Sequence, residues 1–205
     1  MVASRKFLCW LLLGSALVLL PAGCSSPKPQ VVNRVAGPPT TEQFQAGEHG
    51  TLAFELPDGW TYTIYKTSPV IPASFQLDSP DKNATVRFRV SWDGIDSRPS
   101  NPSAGELERL LRNRAERRIR LSEEDSVNVK TITTAGGVAQ FAQFTESIWV
   151  NAEVAPGNYR YATDGVFRCG NLWGSFSIYS QDKLGESFRP ALAIVQSLRQ
   201  LDPKP

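Results

Sequence analysis

The strongest constraint on the fold is the pair Gly170-Asn171, which separates two long segments with strand-like sequences. These segments are NYRYATDGVFRC before the pair and LWGSFSIYS after it, and both are rich in aromatic and β-branched residues. Such residues favour strands, and a two-residue connection of this kind is typical of a β-hairpin. Strands joined by so short a turn run antiparallel. The late part of the chain is therefore predicted to form an antiparallel sheet.

Further strands are predicted on the N-terminal side of this hairpin. They are TLAFELP, WTYTIYK, ASFQLD, ATVRFRVSW, SVNVKTIT and VAQFAQFTESIWVNAEV. In ATVRFRVSW, the apolar residues at 86, 88 and 90 alternate with Arg87 and Arg89. This pattern predicts that one face of the sheet lies in the core and that the other is at least partly in water.

Two segments have the periodicity of helices. In SAGELERLLRNRAERRIRL, Ser103 and Glu106 match a capping box, and apolar residues follow at helical spacing: Leu107, Leu110, Leu111, Ala115 and Ile119. A second apolar stripe follows Ser187 near the C-terminus, and with Ser187 as N-cap, Pro190 falls in the first turn, where proline is tolerated. Strands and two main helices together predict an α+β fold.

Two motifs resemble those of known proteins. GTLAFELPDGW is an aliphatic strand that enters a Pro-x-Gly-Trp turn, and GSFSIYSQDKLGESFRPALAIVQSLRQL is a strand followed by a helix that closes on Ser-Leu. Over residues 48–200 the order of elements resembles the fold shared by PsbP-like proteins, Ran-binding Mog-type proteins and DcrB-type envelope lipoproteins. The resemblance implies an α/β/α sandwich around a central antiparallel sheet, and a non-enzymatic adaptor or assembly role.

The N-terminus predicts export from the cytoplasm. Arg5 and Lys6 precede an uncharged, mostly apolar run over residues 7–20, which Pro21 then interrupts. A bilayer-spanning helix needs about 20 apolar residues, so this run is short for a permanent span. A basic start followed by a short apolar run is typical of a signal peptide.

The residues around Cys24 resemble a bacterial lipoprotein signal. Ala22 and Gly23 supply the small residues expected before the cysteine, whereas Pro21 stands where a branched aliphatic residue is usual. The resemblance implies cleavage before Cys24 and fatty acyl chains such as palmitate on that residue. Because Ser25 follows rather than Asp, it also implies the outer membrane, with the domain facing the periplasm. Ordinary signal-peptide cleavage near Ala22 is the alternative.

Three regions are therefore predicted: a lipoprotein signal over 1–23, the lipidated Cys24 with a flexible Pro-rich linker over 24–47, and a single domain over 48–205. A flexible linker of this length has a typical end-to-end distance of about 25–30 Å. Removal of Arg5 and Lys6 with the signal leaves 20 of the 22 basic residues against 20 acidic ones. A neutral mature chain gives no general electrostatic reason to expect nucleic acid as a partner.

The first predicted helix carries six arginines, at positions 109, 112, 114, 117, 118 and 120, and nearby acidic residues balance them. Glu108 with Arg112 and Glu116 with Arg120 have the i,i+4 spacing of stabilising ion pairs. The favoured interpretation is a solvated, salt-bridged helix. The alternative is a docking surface for a partner or an anionic lipid, formed by Arg109, Arg112, Arg117 and Arg120.

The sequence contains no recognisable catalytic, metal-binding or cofactor-binding motif. His49 is the single histidine and lies at the linker boundary, and no Gly-rich phosphate loop with its lysine occurs. Cys169, within GVFRCGN, is interpreted as a small buried apolar residue, and the carboxylates at 123–125 as a solvated loop. No catalytic residue, metal or cofactor is predicted.

These observations predict a lipid-anchored periplasmic protein with a non-enzymatic binding or scaffolding role, whose partner is another protein of the envelope. The alternative is a carrier for a small ligand, with a pocket between the sheet and a helix. A closed apolar pocket of several hundred Å³ would favour the carrier, and an exposed arginine or aromatic patch would favour the scaffold.

Overall fold

The computed structural model describes residues 30–32, 38–46, 49–65, 74–91 and 101–201. The predicted signal peptide and Cys24 lie outside the described residues. In chain order the elements are β1 (Gln30–Val32), β2 (Thr40–Gln45), β3 (Thr51–Leu56), β4 (Thr61–Tyr65), β5 (Ser74–Asp78), β6 (Ala84–Ser91), α1 (Ala104–Ile119), β7 (Lys130–Thr134), β8 (Gly137–Thr145), a 3₁₀ turn (Ser147–Trp149), β9 (Tyr161–Cys169), β10 (Leu172–Ser180), α2 (Phe188–Gln196) and β11 (Arg199–Leu201).

The strands form two antiparallel sheets. Eight strands make the large sheet, in the order β1-β4-β5-β6-β10-β9-β8-β7, and three make a small sheet, in the order β11-β3-β2. Every pair of neighbouring strands runs antiparallel. The α+β class, with a large antiparallel sheet and two helices, is confirmed.

The two helices pack on opposite faces of the large sheet. On one face, Leu107 and Leu111 of α1 are fully buried against Val166 of β9. On the other face, α2 and the small sheet enclose the main core, in which Phe88 and Phe167 meet edge to face with ring centroids 6.2 Å apart. The large sheet is therefore the middle of three layers.

The local motifs that define the helix starts are present. The Ser103 side chain accepts a hydrogen bond from the Glu106 backbone N–H, and the Glu106 carboxylate accepts one from the Ser103 backbone at 2.8 Å. Ser187 holds the N-cap position of α2 without a side-chain cap hydrogen bond, and Pro190 falls in the first turn. The Gly170-Asn171 hairpin also forms, with Gly170 at a φ of 59°.

Two stretches that were predicted as linker are strands. β1 pairs with β4, and β2 pairs with β3 in the small sheet. The aromatic ring of Phe44 in β2 is buried and lies 4.5 Å from the ring of Phe75. Val31, Val32 and Phe44 favour strands, but the prolines and polar residues around them dominated the composition from which a linker was inferred.

The long strand predicted through VAQFAQFTESIWVNAEV ends early, at Thr145. Trp149 lies in the 3₁₀ turn, and Tyr159 lies in the loop before β9 rather than on a strand. No helix within the described residues is long and apolar enough to cross a bilayer.

Candidate binding surface

The large sheet presents a polar face next to α1. Arg89 of β6 stands opposite Ser175 of β10, and Ser175 stands opposite Val166, which packs under α1. Directly opposed residues of antiparallel strands point to the same face, so Arg89 lies on the α1 side of the sheet. Arg87 and Arg89 are both exposed, whereas the alternating residues of β6 are buried. This confirms the predicted alternation in β6.

Helix α1 forms one side of this polar face. It packs mainly on β8 and β9, and two of its arginines reach sideways onto β10. Arg114 donates hydrogen bonds to the hydroxyls of Ser177, at 2.9 Å, and Ser175, at 3.4 Å. Arg118 lies one helical turn later on the same flank. The guanidinium of Arg114 therefore lies over the two serines, between the helix and β6.

A buried carboxylate holds the two helix arginines in place. Asp164 of β9 is 3% exposed and accepts a hydrogen bond from Ser177 Oγ at 2.7 Å. Its carboxylate lies 3.2 Å from Arg118 Nε and 3.5 Å from Arg114 Nε. Arg118 also pairs with Glu146 at 2.7 Å. Burial opposes the charge of Arg118, but Asp164 and the Tyr179 hydroxyl outweigh it and raise the pKa of the guanidinium.

Two tyrosines close one end of the polar face. The guanidinium carbons of Arg87 and Arg118 lie 5.3 and 5.5 Å from the centre of the Tyr179 ring, within cation–π range. Tyr159 packs on Tyr179 with ring centroids 5.9 Å apart, and its hydroxyl is 2.6 Å from Thr85 Oγ1. These contacts hold the rings at the surface rather than in the core.

We call this surface beside α1 the arginine slot. Arg114 and Arg118 of α1 form one side and Arg87 and Arg89 of β6 the other, and Ser175 and the buried Ser177 lie beneath Arg114. Arg87 donates to Gln76 Oε1 at 3.1 Å, and no described residue forms an ion pair with Arg89. Among the described residues, Asp164 and Glu146 hold the helix arginines, and Asp78 accepts hydrogen bonds from Thr85 and Gln76. Arg87 and Arg89 thus offer donors to a partner.

The four arginines predicted as a docking surface are all exposed. Arg109, Arg112 and Arg117 belong to α1, and Arg120 is its C-cap. Arg112 pairs with Glu108 at 2.7 Å and donates to Val127 O at 3.4 Å, on the flank of α1 away from β10. No described residue pairs with Arg109, Arg117 or Arg120. A docking role for these four remains a prediction, and Arg114 and Arg118 depart from the interpretation of a wholly solvated helix.

Sequence reasoning missed the slot for a specific reason. The alternation in ATVRFRVSW placed Arg87 and Arg89 on a wet face, but β6 and β10 are far apart in sequence and their pairing was not predicted. The i,i+4 spacing of Arg114 and Arg118 was a signal that both point the same way.

A cleft of about 210 Å³ opens at the edge of the layer between the sheet and α2. It is lined by Trp60, Ser79, Pro80, Asp81, Glu186, Ser187 and Pro190. The cleft is open and bordered by two carboxylates, which differs from the closed apolar pocket that a carrier would need.

The interpretation of Cys169 as a buried apolar residue is confirmed. Cys169 is fully buried, its sulfur lies 3.5 Å from Thr134 Oγ1, and burial raises the pKa of its thiol to about 11. A catalytic thiolate needs the opposite shift.

Several acidic side chains serve the structure. In the described residues, every carboxyl group with a resolved pKa shift has a lowered pKa: Glu55, Asp81, Glu106, Glu124 and Asp182. For Glu124 burial raises the pKa, but hydrogen bonds from Thr145 and Lys183 outweigh it. A general acid at neutral pH needs a raised pKa. No cluster of three or more potential metal ligands occurs in the part of the chain that is described.

Comparisons with known proteins give one structural similarity. No protein-family model matches the chain, and no curated protein matches its sequence. Among solved structures, the fold is similar to the solution structure of cyanobacterial PsbP (CyanoP) from Synechocystis sp. PCC 6803. The identity is 12%, the similarity covers 80% of this chain and 95% of that one, and the TM-score is 0.48. A similarity of this size concerns only the general outline of the fold. No partner, activity or site of that protein can be assigned to this chain from it.

Proposed function

We propose that this protein is a lipid-anchored component of the bacterial envelope that binds another envelope protein through the arginine slot, without catalysing a reaction. The observation that carries this proposal is the exposure of Arg87 and Arg89 on a sheet face beside α1. The solvent-exposed side chains of Arg87 and Arg89 do not contribute to the packing of the core. They suit recognition, since a guanidinium offers five donors in a planar fork.

The anchor part of the proposal rests on the lipoprotein-like residues at Cys24. β1 begins at Gln30, only six positions later. Six residues span at most about 20 Å, which is less than the reach expected of a long flexible linker. An acylated Cys24 would thus keep the β1 edge of the large sheet near the lipid headgroups, and the bound partner would be one accessible at the membrane surface.

The rigidity of the slot supports a binding role. Arg114 and Arg118 are held by Asp164, Ser175 and Ser177 before any partner arrives, so these two side chains lose little entropy on binding. The sheet beneath is fixed by the β6–β10 pairing over eight residue pairs. A preorganised surface of this kind favours a specific partner.

Photo-crosslinking in intact cells tests the proposed function. A crosslinking amino acid replaces Ser175 in the slot in one strain and Asn113, which is exposed on α1, in the matched control. We expect mass spectrometry to recover a reproducible envelope protein from the Ser175 strain and not from the control. Recovery of the same protein from both, or of none from either, would contradict binding through the slot.

The anchor has a separate test. Mass spectrometry of the mature N-terminus should show acyl mass on Cys24 in the native chain and none in a Cys24→Ala variant. Diacyl or triacyl attachment, at about 0.8 kcal/mol per buried methylene, makes membrane release negligible. An unmodified Cys24 in the mature protein would overturn the anchor and leave the slot unaffected.

A further inference from the structure

We infer that the arginine slot binds an acidic segment of the partner protein, in which carboxylates recur at every second residue of an extended chain. This inference rests on the proposed function and specifies the chemistry of its partner. It follows from the charges of the slot, from their spacing and from the position of the slot beside α1.

The spacing of the exposed arginines matches an extended peptide. Arg87 and Arg89 lie two residues apart on β6, so their side chains leave the same face of the sheet about 6.7 Å apart. Alternate side chains of any extended chain have the same repeat. Asp or Glu at positions i and i+2 of a segment parallel to β6 would bring one carboxylate within reach of each arginine side chain, where a bidentate pair can form.

The near side of the slot adds a third donor. Arg114 remains 42% exposed while it contacts Ser175 and Ser177, and its contact to Asp164 is longer than that of Arg118. Asp164 is thus engaged chiefly by Arg118 and Ser177. A carboxylate above the serines would contact the exposed part of Arg114.

The position of the slot beside α1 favours a protein segment over a flat lipid surface. α1 covers β8 and β9, and a packed helix has a diameter of about 10–12 Å. A planar bilayer would meet the outer arginines of α1, Arg109 and Arg120, before it reached the sheet. A single chain fits beside the helix, where a membrane does not.

A binding assay with defined peptides tests this inference. The probe is a fluorescein-labelled peptide of six Glu-Ser repeats, its control is the same peptide with Gln for Glu, and the protein is the full chain isolated from membranes. The test variant is Arg87→Gln with Arg89→Gln, and the matched control variant is Arg109→Gln with Arg120→Gln. Both variants change exposed residues and remove two positive charges, so circular dichroism should show both folded.

We expect the Glu-Ser peptide to bind the native chain, with an affinity that falls as salt rises, and the Gln-Ser peptide not to bind. The slot variant should lose about tenfold or more in affinity, since the loss of one hydrogen bond between charged groups already lowers affinity by about this factor. The control variant should lose less than threefold. Equal losses of affinity in both variants would mean that net charge alone governs peptide binding, which would overturn the inference.

Vesicles distinguish the lipid alternative. Vesicles with about one third phosphatidylglycerol are compared with pure phosphatidylcholine vesicles, using the non-acylated Cys24→Ala chain. Binding to the anionic vesicles that the slot variant abolishes would overturn the inference in favour of lipid. Failure of the Glu-Ser peptide to bind, with crosslinking at Ser175 retained in cells, would overturn the acidic partner while the proposed function stands.

Discussion

Arg118 and Asp164 form an ion pair between α1 and β9, with Arg118 Nε 3.2 Å from Asp164 Oδ2. The side chains are only 19% and 5% exposed, and Glu146 and Tyr179 complete the hydrogen bonds of the guanidinium. The pair therefore connects the helix that borders the arginine slot to the sheet beneath it. Disturbing either residue should change both the stability of the domain and the geometry of the slot.

The Arg118→Met variant should lower the free energy of unfolding by about 3 kcal/mol, because it leaves Asp164 buried without its main cation. Urea unfolding followed by circular dichroism measures this. Asp164→Asn combined with Arg118→Met should cost less than the sum of the two single variants. The control is Arg112→Gln, which breaks an exposed i,i+4 pair with Glu108 and should cost at most about 0.5 kcal/mol. A loss below 1 kcal/mol in Arg118→Met would contradict a stabilising role.

Asp182 makes the start of α2 sensitive to acid. Its carboxylate accepts hydrogen bonds from the Ser187 hydroxyl at 2.6 Å and the Ser187 backbone at 2.8 Å, and also from Gly185 N–H. Burial raises the pKa of Asp182, but these hydrogen bonds outweigh it, so the pKa lies below its ordinary value of 3.8. A carboxylate whose pKa is lowered by folding contributes its full stabilisation at pH values above its ordinary pKa. This stabilisation is lost as the pH falls through the pKa of the folded state.

Asp182→Asn should therefore lower the free energy of unfolding by about 1 kcal/mol at pH 7. The difference from the native chain should shrink as the pH falls below 3.8, the ordinary value for the group. Urea titrations at a series of pH values measure it. Asp125→Asn, at an exposed loop position, should stay within about 0.5 kcal/mol of the native chain at pH 7. A constant difference between pH 7 and pH 2.5 would rule out the ionised carboxylate as its source.

Local signals made much of the fold predictable. The capping box at Ser103, the start of α2 after Ser187 and the Gly170-Asn171 hairpin depend on residues a few positions apart, and all three are present. The alternation in β6 likewise placed Arg87 and Arg89 in water. Each of these patterns depends on interactions between residues that are close in the sequence, so a single sequence is enough to recognise it.

Long-range pairing could not be predicted in the same way. β3 and β4 are joined by the Pro57–Trp60 turn but enter different sheets, and β11 returns to pair with β3 across most of the chain. β1 and β11 have three residues each, too few for a periodicity. The arginine slot depends on the contact of α1 with β10, and that contact depends on which strands become neighbours.

Gly165 provides a test of the packing in the large sheet. It faces Phe176 across the β9–β10 pair, and a Cβ at this position would overlap the ring of Phe176, which is fully buried. Gly165→Ala should lower the free energy of unfolding by about 2 kcal/mol, because the buried ring must shift against its neighbours to make room for the methyl group. Gly105→Ala is the control, since no neighbouring atom lies within 4 Å and the backbone is helical. It should raise stability by about 0.5 kcal/mol, and a neutral result for Gly165→Ala would contradict tight packing.

The short distance between Cys24 and β1 predicts how the anchored domain sits on a membrane. Gln30 pairs with Ile64, next to Tyr65 at the end of β4, whereas Ile148 follows β8, five strand positions away across the sheet. Across the strands alone that separation is roughly 25 Å, so a label at position 65 should lie much closer to lipid than one at 148. Both side chains are exposed, and Cys169 is buried, so single cysteines at either position can be labelled. In acylated chains on vesicles with an acceptor dye in the headgroups, a donor dye on Tyr65→Cys should give the higher energy transfer.

Insertion of 20 Gly and Ser residues after Ser26 should make the two transfer efficiencies similar. Equal transfer without the insertion would contradict a short tether.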